Sequence, residues 1–229
     1  MNIKSETKKM ESILKRNSGL EFNYCIFKPK NINSNKKYPL IVFLHGAGER
    51  GDADGSRVEA VLKNGLPKLF IKDDNIEAFL IAPQCPIDEV WDMNIKELYS
   101  FIISLTDLYP IDKDKITLTG ISMGGFGTWA FSCMYPQLLA GIAVVCGGGM
   151  TWRAERIKKL PIKVFHGDID PSVPISYSYA MVDALLKVGN NVEFTIFHNV
   201  AHNSWDYAYT QDLLEWLLAR DRKELGVTN

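Results

Sequence analysis

Residues Leu118–Trp129 read "LTGISMGGFGTW". Twelve positions hold four glycines around a single serine, Ser122, in the pattern Gly-x-Ser-x-Gly. Upstream lies "KITLTG" (Lys115–Gly120), an alternating strand pattern, and downstream "MGGFGTWAFSCM" (Met123–Met134), a helix pattern closed by Pro136. A strand that turns this sharply into a helix forces its middle residue into a strained conformation. Gly120 and Gly124 must then be small for the two elements to approach. The hydroxyl stands above the turn, and the N–H of Met123 points into the same space at a helix start, where partial positive charge favours an anion. The other reading is a tight small-residue turn with an incidental serine.

The rest of the chain repeats the strand–helix alternation. Tyr38–Gly46, Ala78–Pro83, Gly141–Gly147, Ile162–Gly167 and Val192–His198 are short apolar runs ended by glycine, proline or histidine. They suit strands buried on both faces. Ile95, Leu98, Ile102 and Leu105 step by three and four, as one face of a helix requires. Ser176–Val188 and Tyr207–Leu218 read as two more helices, and Leu20–Pro29 alternates as an edge or hairpin strand. Such alternation predicts an α/β fold: a mostly parallel central sheet with helices on both faces, whose ligands bind beyond the carboxyl ends of the strands.

The 229 residues show no linker, repeat or low-complexity run, so a single domain over 1–229 is expected. Residues 1–19 are expected as an N-terminal helical extension, with Met10, Ile13 and Leu14 on one side. A formal net charge of −1 with scattered Lys and Arg argues against a nucleic-acid or membrane-surface partner. No apolar run approaches the roughly 20 residues of a membrane span. The first thirty residues lack the apolar stretch of a secretory leader, and the four cysteines are widely spaced without C-x-x-C. A cytoplasmic protein is expected, an exported form lacking its leader being the alternative.

A serine hydroxyl needs a base, and the base an orienting partner. Four histidines are available. His45 and His166 end strands and precede glycines, and His198 ends the last strand. His202 lies in the loop "NVAHNSW" (Asn199–Trp205), free to lean toward Ser122, and is the favoured base over His198. In "FHGDIDPSVP" (Phe165–Pro174) Asp168 directly follows the His-Gly turn and can cap it. Asp170 stands farther out and is favoured as the acid. The order Ser122, Asp170, His202 matches the Ser…Asp…His order of one particular fold. "FLHGAGERG" (Phe43–Gly51) supplies uncovered backbone N–H groups, with Ala47 the candidate oxyanion donor beside Met123 and Gly48 the alternative. No histidine pair has metal-ligand spacing, so neither a metal nor another cofactor is expected.

With these segments in place, the chain resembles the α/β-hydrolase superfamily. Within it, the chain resembles bacterial carboxylesterases grouped with dienelactone hydrolases, feruloyl esterases, polyhydroxybutyrate-depolymerase-type esterases and the prolyl oligopeptidase catalytic domain. The matching segments are "VFLHGAGERG", "LIAPQCP" followed by Trp91, "TGISMGGFGTWAFSCMYP", "VCGGG", "VFHGDIDPSVP" and "AHNSW". The resemblance implies a catalytic triad of Ser122, Asp170 and His202 and an oxyanion hole at Ala47 and Met123. It also implies a serine carboxylesterase acting on small acyl or aryl esters, hydroxycinnamoyl or acetyl esters of carbohydrate included. A peptidase or amidase, or a non-catalytic binding protein on the same fold, is the alternative. "GGMTWRAERIKKLP" (Gly148–Pro161) is too short for a cap domain, so an open cleft is expected. Trp91, Trp152 and Trp205 are candidates to line a substrate pocket or to cover the top of the sheet. Arg50 is a candidate to read a substrate carboxylate or sugar. Oligomeric state is not legible from these residues.

Overall fold

A computed structural model describes residues 10–33 and 35–226. Eight strands form one sheet: β1 (Met10–Ile13), β2 (Tyr24–Phe27), β3 (Tyr38–Leu44), β4 (Phe79–Pro83), β5 (Ile111–Ile121), β6 (Gly141–Val145), β7 (Ile162–Gly167) and β8 (Glu193–Phe197). Their order is β1-β2-β4-β3-β5-β6-β7-β8. β2 runs antiparallel to both of its neighbours, β1 and β4, and every other neighbour pair is parallel. The helices are α1 (Lys15–Ser18), α2 (Pro67–Lys72), α3 (Ile95–Leu108), α4 (Met123–Met134), α5 (Ser176–Lys187), α6 (Trp205–Ala208) and α7 (Gln211–Leu218).

Strand pleating turns the continuous apolar run of β3 into two interfaces. Leu40, Val42 and Leu44 join one core with Leu98, Phe101 and Leu105 of α3, Trp129 and Phe131 of α4, and Met181 and Leu185 of α5. Ile41 and Phe43 face the opposite core, with Phe70 of α2 and Leu213, Leu214 and Leu217 of α7. The expected α/β architecture with both faces covered is thus present. The connection from β6 to β7 carries only a 3₁₀ turn at Thr151–Ile157, too little for a cap.

Three local expectations are corrected. Residues 1–9 of the expected N-terminal helix lie outside the described residues, but Met10–Ile13 is a strand, not a helix. It pairs with β2, which otherwise leaves its outer N–H and C=O groups open. Met10 and Ile13 then pack on opposite cores, as a strand demands and a helix forbids. Of the two readings expected for this segment, β2 is the hairpin strand, antiparallel to β1, and not the edge: it lies inside the sheet, fully buried between β1 and β4. The single helix expected over Tyr207–Leu218 is broken at Tyr209–Thr210. Thr210 caps α7, its hydroxyl accepting the Leu213 N–H at 3.3 Å. Tyr209 turns inward to hydrogen-bond Thr119 at 2.8 Å.

Candidate active site

Ser122 sits between β5 and α4 with φ 52° and ψ −117°, a left-handed φ costly for any side-chain-bearing residue. The strain is held on both sides. Ser122 N–H donates to Val145 O of β6 at 3.0 Å, and its carbonyl accepts Phe126 N–H at 3.1 Å. The flanking glycines are sterically required. A Cβ on Gly120 would lie 2.3 Å from Gly124 O, and one on Gly124 would lie 2.0 Å from Leu44 O. The local sequence therefore leaves strand and helix in backbone contact, with the hydroxyl proud of the turn.

The acid and base arrive on loops beyond β7 and β8. Ser122 O–H donates to His202 Nε2 at 2.8 Å, and His202 Nδ1–H donates to Asp170 Oδ2 at 2.7 Å. The carboxylate can only accept, which fixes the imidazole tautomer. The Asp170 side chain is fully buried. Its other oxygen accepts N–H groups from Ser172 at 2.8 Å and Val173 at 2.9 Å. Burial opposes ionisation of Asp170, but the His202 bond and the two backbone donors together outweigh it and hold the carboxyl below the usual carboxylate range. Ser122, Asp170 and His202, expected to meet, are within hydrogen-bonding distance in series.

Ala47 opens a 3₁₀ turn at Ala47–Glu49, and Met123 opens α4. First-turn N–H groups have no acceptor within their own helix, so both positions can receive an anion. The residues just before them are neighbours: a Cβ on Gly46 would lie 3.7 Å from Ser122 Cβ. Gly48, the alternative, faces open space. The loop itself is tethered by His45. Its Nδ1–H donates to Gly46 O at 2.6 Å and its Nε2 accepts Cys85 N–H at 2.9 Å. Burial lowers the His45 pKa to about 4, so it stays neutral in this role.

The candidate substrate contacts fare differently. Trp91 is corrected: it is completely buried, its indole N–H donates to His45 O at 3.0 Å, and its ring meets that of His45 edge-on. Gly127 makes the slot for it, since a Cβ there would lie 2.4 Å from Trp91 Cβ. Arg50 is half-buried, and its guanidinium donates to Ala47 O at 3.0 Å and Glu89 O at 3.3 Å, fastening the loop after β3 to the segment after β4. Trp152 is 78% exposed on the Thr151–Ile157 turn. Trp205 stands edge-on to the His202 ring at 5.2 Å, the one tryptophan of the three in contact with the candidate base.

Two further groups act here without having been singled out. His166 is buried beside Asp170, with its Nε2 3.4 Å from Oδ2. It donates from Nε2 to Val173 O at 2.8 Å and accepts from Ser178 at Nδ1 at 2.7 Å. Burial lowers its pKa, so it too is a neutral brace. Cys146, at φ 43°, donates its thiol to His202 O at 3.6 Å. Its sulfur lies within 4.8 Å of ligand atoms of Asp170 and His202. Burial pushes the thiol up to about 12, so it stays protonated. The "VCGGG" segment following a strand was the available signal for Cys146; nothing local marked His166.

Comparison with known proteins places the chain in a family. Residues 82–218 match the phospholipase/carboxylesterase family. The chain is 25% identical to acyl-protein thioesterase 1 of Neurospora crassa over 202 residues, covering 72% of this chain and 80% of that protein. It is 24% identical to a probable feruloyl esterase C of Aspergillus terreus over 170 residues, covering 72% and 60% respectively. Among solved structures it resembles a thermostable esterase with 34% identity and a TM-score of 0.77, covering 93% of this chain. It spans only 63% of that esterase's length. A match over more than half of the sequence, on a sheet of this order, leaves one assignment: the chain belongs to the phospholipase/carboxylesterase family, serine hydrolases of the α/β-hydrolase fold.

Proposed function

We propose that this protein is a serine carboxylesterase acting on small acyl or aryl esters, with Ser122 as nucleophile, His202 as general base and acid, and Asp170 as orienting acid. The observation that carries the reading is the continuous relay of 2.8 Å and 2.7 Å bonds through a strained serine. As Ser122 Oγ attacks the ester carbonyl, its proton passes to His202 Nε2. Asp170 stabilises the resulting imidazolium. The N–H groups of Met123 and Ala47 take the charge of the tetrahedral oxyanion, each worth about 3–4 kcal/mol in the transition state. His202 returns the proton to the leaving alcohol. Water then attacks the acyl-enzyme by the same route, freeing the acid and restoring Ser122.

The short β6–β7 connection leaves the cleft open, which suits small soluble esters, including acyl groups on carbohydrate. All four cysteines are unpaired and buried, which fits the expected cytoplasmic setting. Among the described residues no helix is long and apolar enough to cross a membrane. Esters and amides with identical acyl groups test the reading, alongside a chain-length and aryl-ester series. Esters should be turned over far faster, and Ser122→Ala should lower kcat on the order of 10⁴–10⁶-fold while remaining folded. Equal or better turnover of the amides makes it an amidase; ester hydrolysis at the wild-type rate by Ser122→Ala refutes the proposed nucleophile.

A further inference from the structure

β8 is the last strand of the sheet and has one neighbour, β7. Its residues are all exposed or half-exposed. The loop that carries His202 therefore leaves from an exposed edge of the sheet, yet its imidazole must sit within a fraction of an ångström of Ser122. Something outside the sheet ladder has to fix it. Cys146 meets the far end of the loop, its thiol donating to the His202 carbonyl at 3.6 Å. Trp205 offers only ring contact.

The start of that loop is gripped by one side chain. Asp168 Oδ1 accepts Asn199 N–H at 2.7 Å, and its Oδ2 accepts His198 Nδ1–H at 2.9 Å. Asn199 holds φ 58°, so its N–H is presented by a tight left-handed turn. The backbone on either side reinforces the grip. Asp168 N–H donates to Phe197 O at 3.1 Å, and Ile169 N–H donates to Val200 O at 3.3 Å. Gly167 lets the loop descend further, since a Cβ there would lie 2.1 Å from Val200 O and 2.6 Å from Ala201 O. Two residues after Asp168 comes Asp170 itself.

We propose that Asp168 is a positioning residue: it clasps the base loop at Asn199 to the loop bearing the acid, so that His202 and Asp170 are held as one unit over Ser122. The inference rests on the triad proposed above. Its Oδ1 bond to Asn199 N–H sets the position of the loop. The His198 side chain is 80% exposed and serves to orient the carboxylate. The His198 hydrogen bond, followed by the backbone N–H of Asn199, outweighs burial and holds the Asp168 carboxyl below the usual range, keeping it an acceptor.

Steady-state hydrolysis of nitrophenyl acetate by Asp168→Ala, Asp168→Asn and Asp168→Glu, each checked by thermal melting, tests this. Asp168→Ala removes the acceptor and should lower kcat about 10–100-fold with KM within about twofold, since substrate binding is untouched while the base drifts. Asp168→Asn keeps an oxygen for the Asn199 N–H and should recover most of the loss. Asp168→Glu moves the carboxylate by one methylene, should again lower kcat, and carries the test if the alanine variant does not fold. Wild-type kcat in a folded alanine or glutamate variant overturns the proposal. So does a loss in KM rather than kcat, or an asparagine variant no better than alanine. Ser122→Ala, assayed alongside, separates the two readings. Activity retained there contradicts the nucleophile, whereas a dead Ser122→Ala beside a fully active Asp168→Ala contradicts only the clasp.

Discussion

Ser122 and His202, the proposed nucleophile and base, approach each other from regions built on different terms. Ser122 lies at the centre of the sheet, between β3, β6 and the start of α4. His202 lies on a loop beyond the outermost strand. Each region contains a glycine whose absent side chain is occupied by a carbonyl oxygen: Leu44 O at 2.0 Å for Gly124, and Val200 O at 2.1 Å for Gly167. The contacts match in distance but differ in what surrounds them. At Gly124 both partners are buried elements of the core and cannot yield. At Gly167 one partner is an edge loop with room to move outward. The central region is fixed by packing, and the peripheral one by hydrogen bonds. Loss of fit should cost stability in the first and activity in the second.

The strongest way to break this contrast is Gly124→Ala. A methyl group against the backbone of β3 should destabilise the fold by more than about 4 kcal/mol, read as a lowered urea midpoint or an insoluble product. A variant that melts within a degree of wild type would show that the centre is softer than its packing implies. The next effect reports on His45, which holds the loop after β3 as a neutral imidazole. Its pKa is about 4 when folded and near the ordinary histidine value of about 6.5 when unfolded. Between those values the unfolded chain binds more protons, so stability should fall as pH drops from 6.5 toward 4, by about 3 kcal/mol over the window. Urea midpoints at pH 7, 6 and 5 check this, and a flat profile contradicts it.

Gly167→Ala sharpens the comparison itself. The loop should move rather than the strand, lowering kcat on the order of 10²-fold while costing only about 1–2 kcal/mol of stability. Loss of folding at Gly167, or of activity without loss of folding at Gly124, would reverse the account of the two regions. The smallest effect belongs to Trp152, exposed on its 3₁₀ turn. Trp152→Ala should change stability by less than about 0.5 kcal/mol, measured by thermal melting, so that any change in KM across an aryl-ester series is a direct readout of substrate contact.

The same division explains what could be read before the structure. The turn at Ser122 is local: Gly120, Ser122 and Gly124 meet within five residues, and their spacing alone states the geometry. That Asp170 and His202 come together with Ser122 was legible from chemistry and chain order, because each follows a recognisable strand. Trp91 was misread because its partners are distant in the chain, and one of the two contacts of Arg50 is likewise distant. The slot for Trp91 is made by Gly127 on another element, and the carbonyls that occupy Arg50 belong to Ala47 and Glu89. The strand at Met10–Ile13 was hidden for a related reason. Its pattern permits a helix, and only the open edge of β2 decides otherwise. His166 carried no local mark at all, since its work is done by Ser178 and Val173 closing around it.

The central claim is that Ser122 is activated through His202. Labelling with a fluorophosphonate, followed by intact-mass and peptide analysis of wild type and His202→Ala, addresses it most directly. One adduct per chain, on the peptide containing Ser122, with labelling of the His202 variant slowed by at least about 10³-fold, is the predicted result. An adduct on another residue, or equal labelling rates in the two proteins, would contradict it.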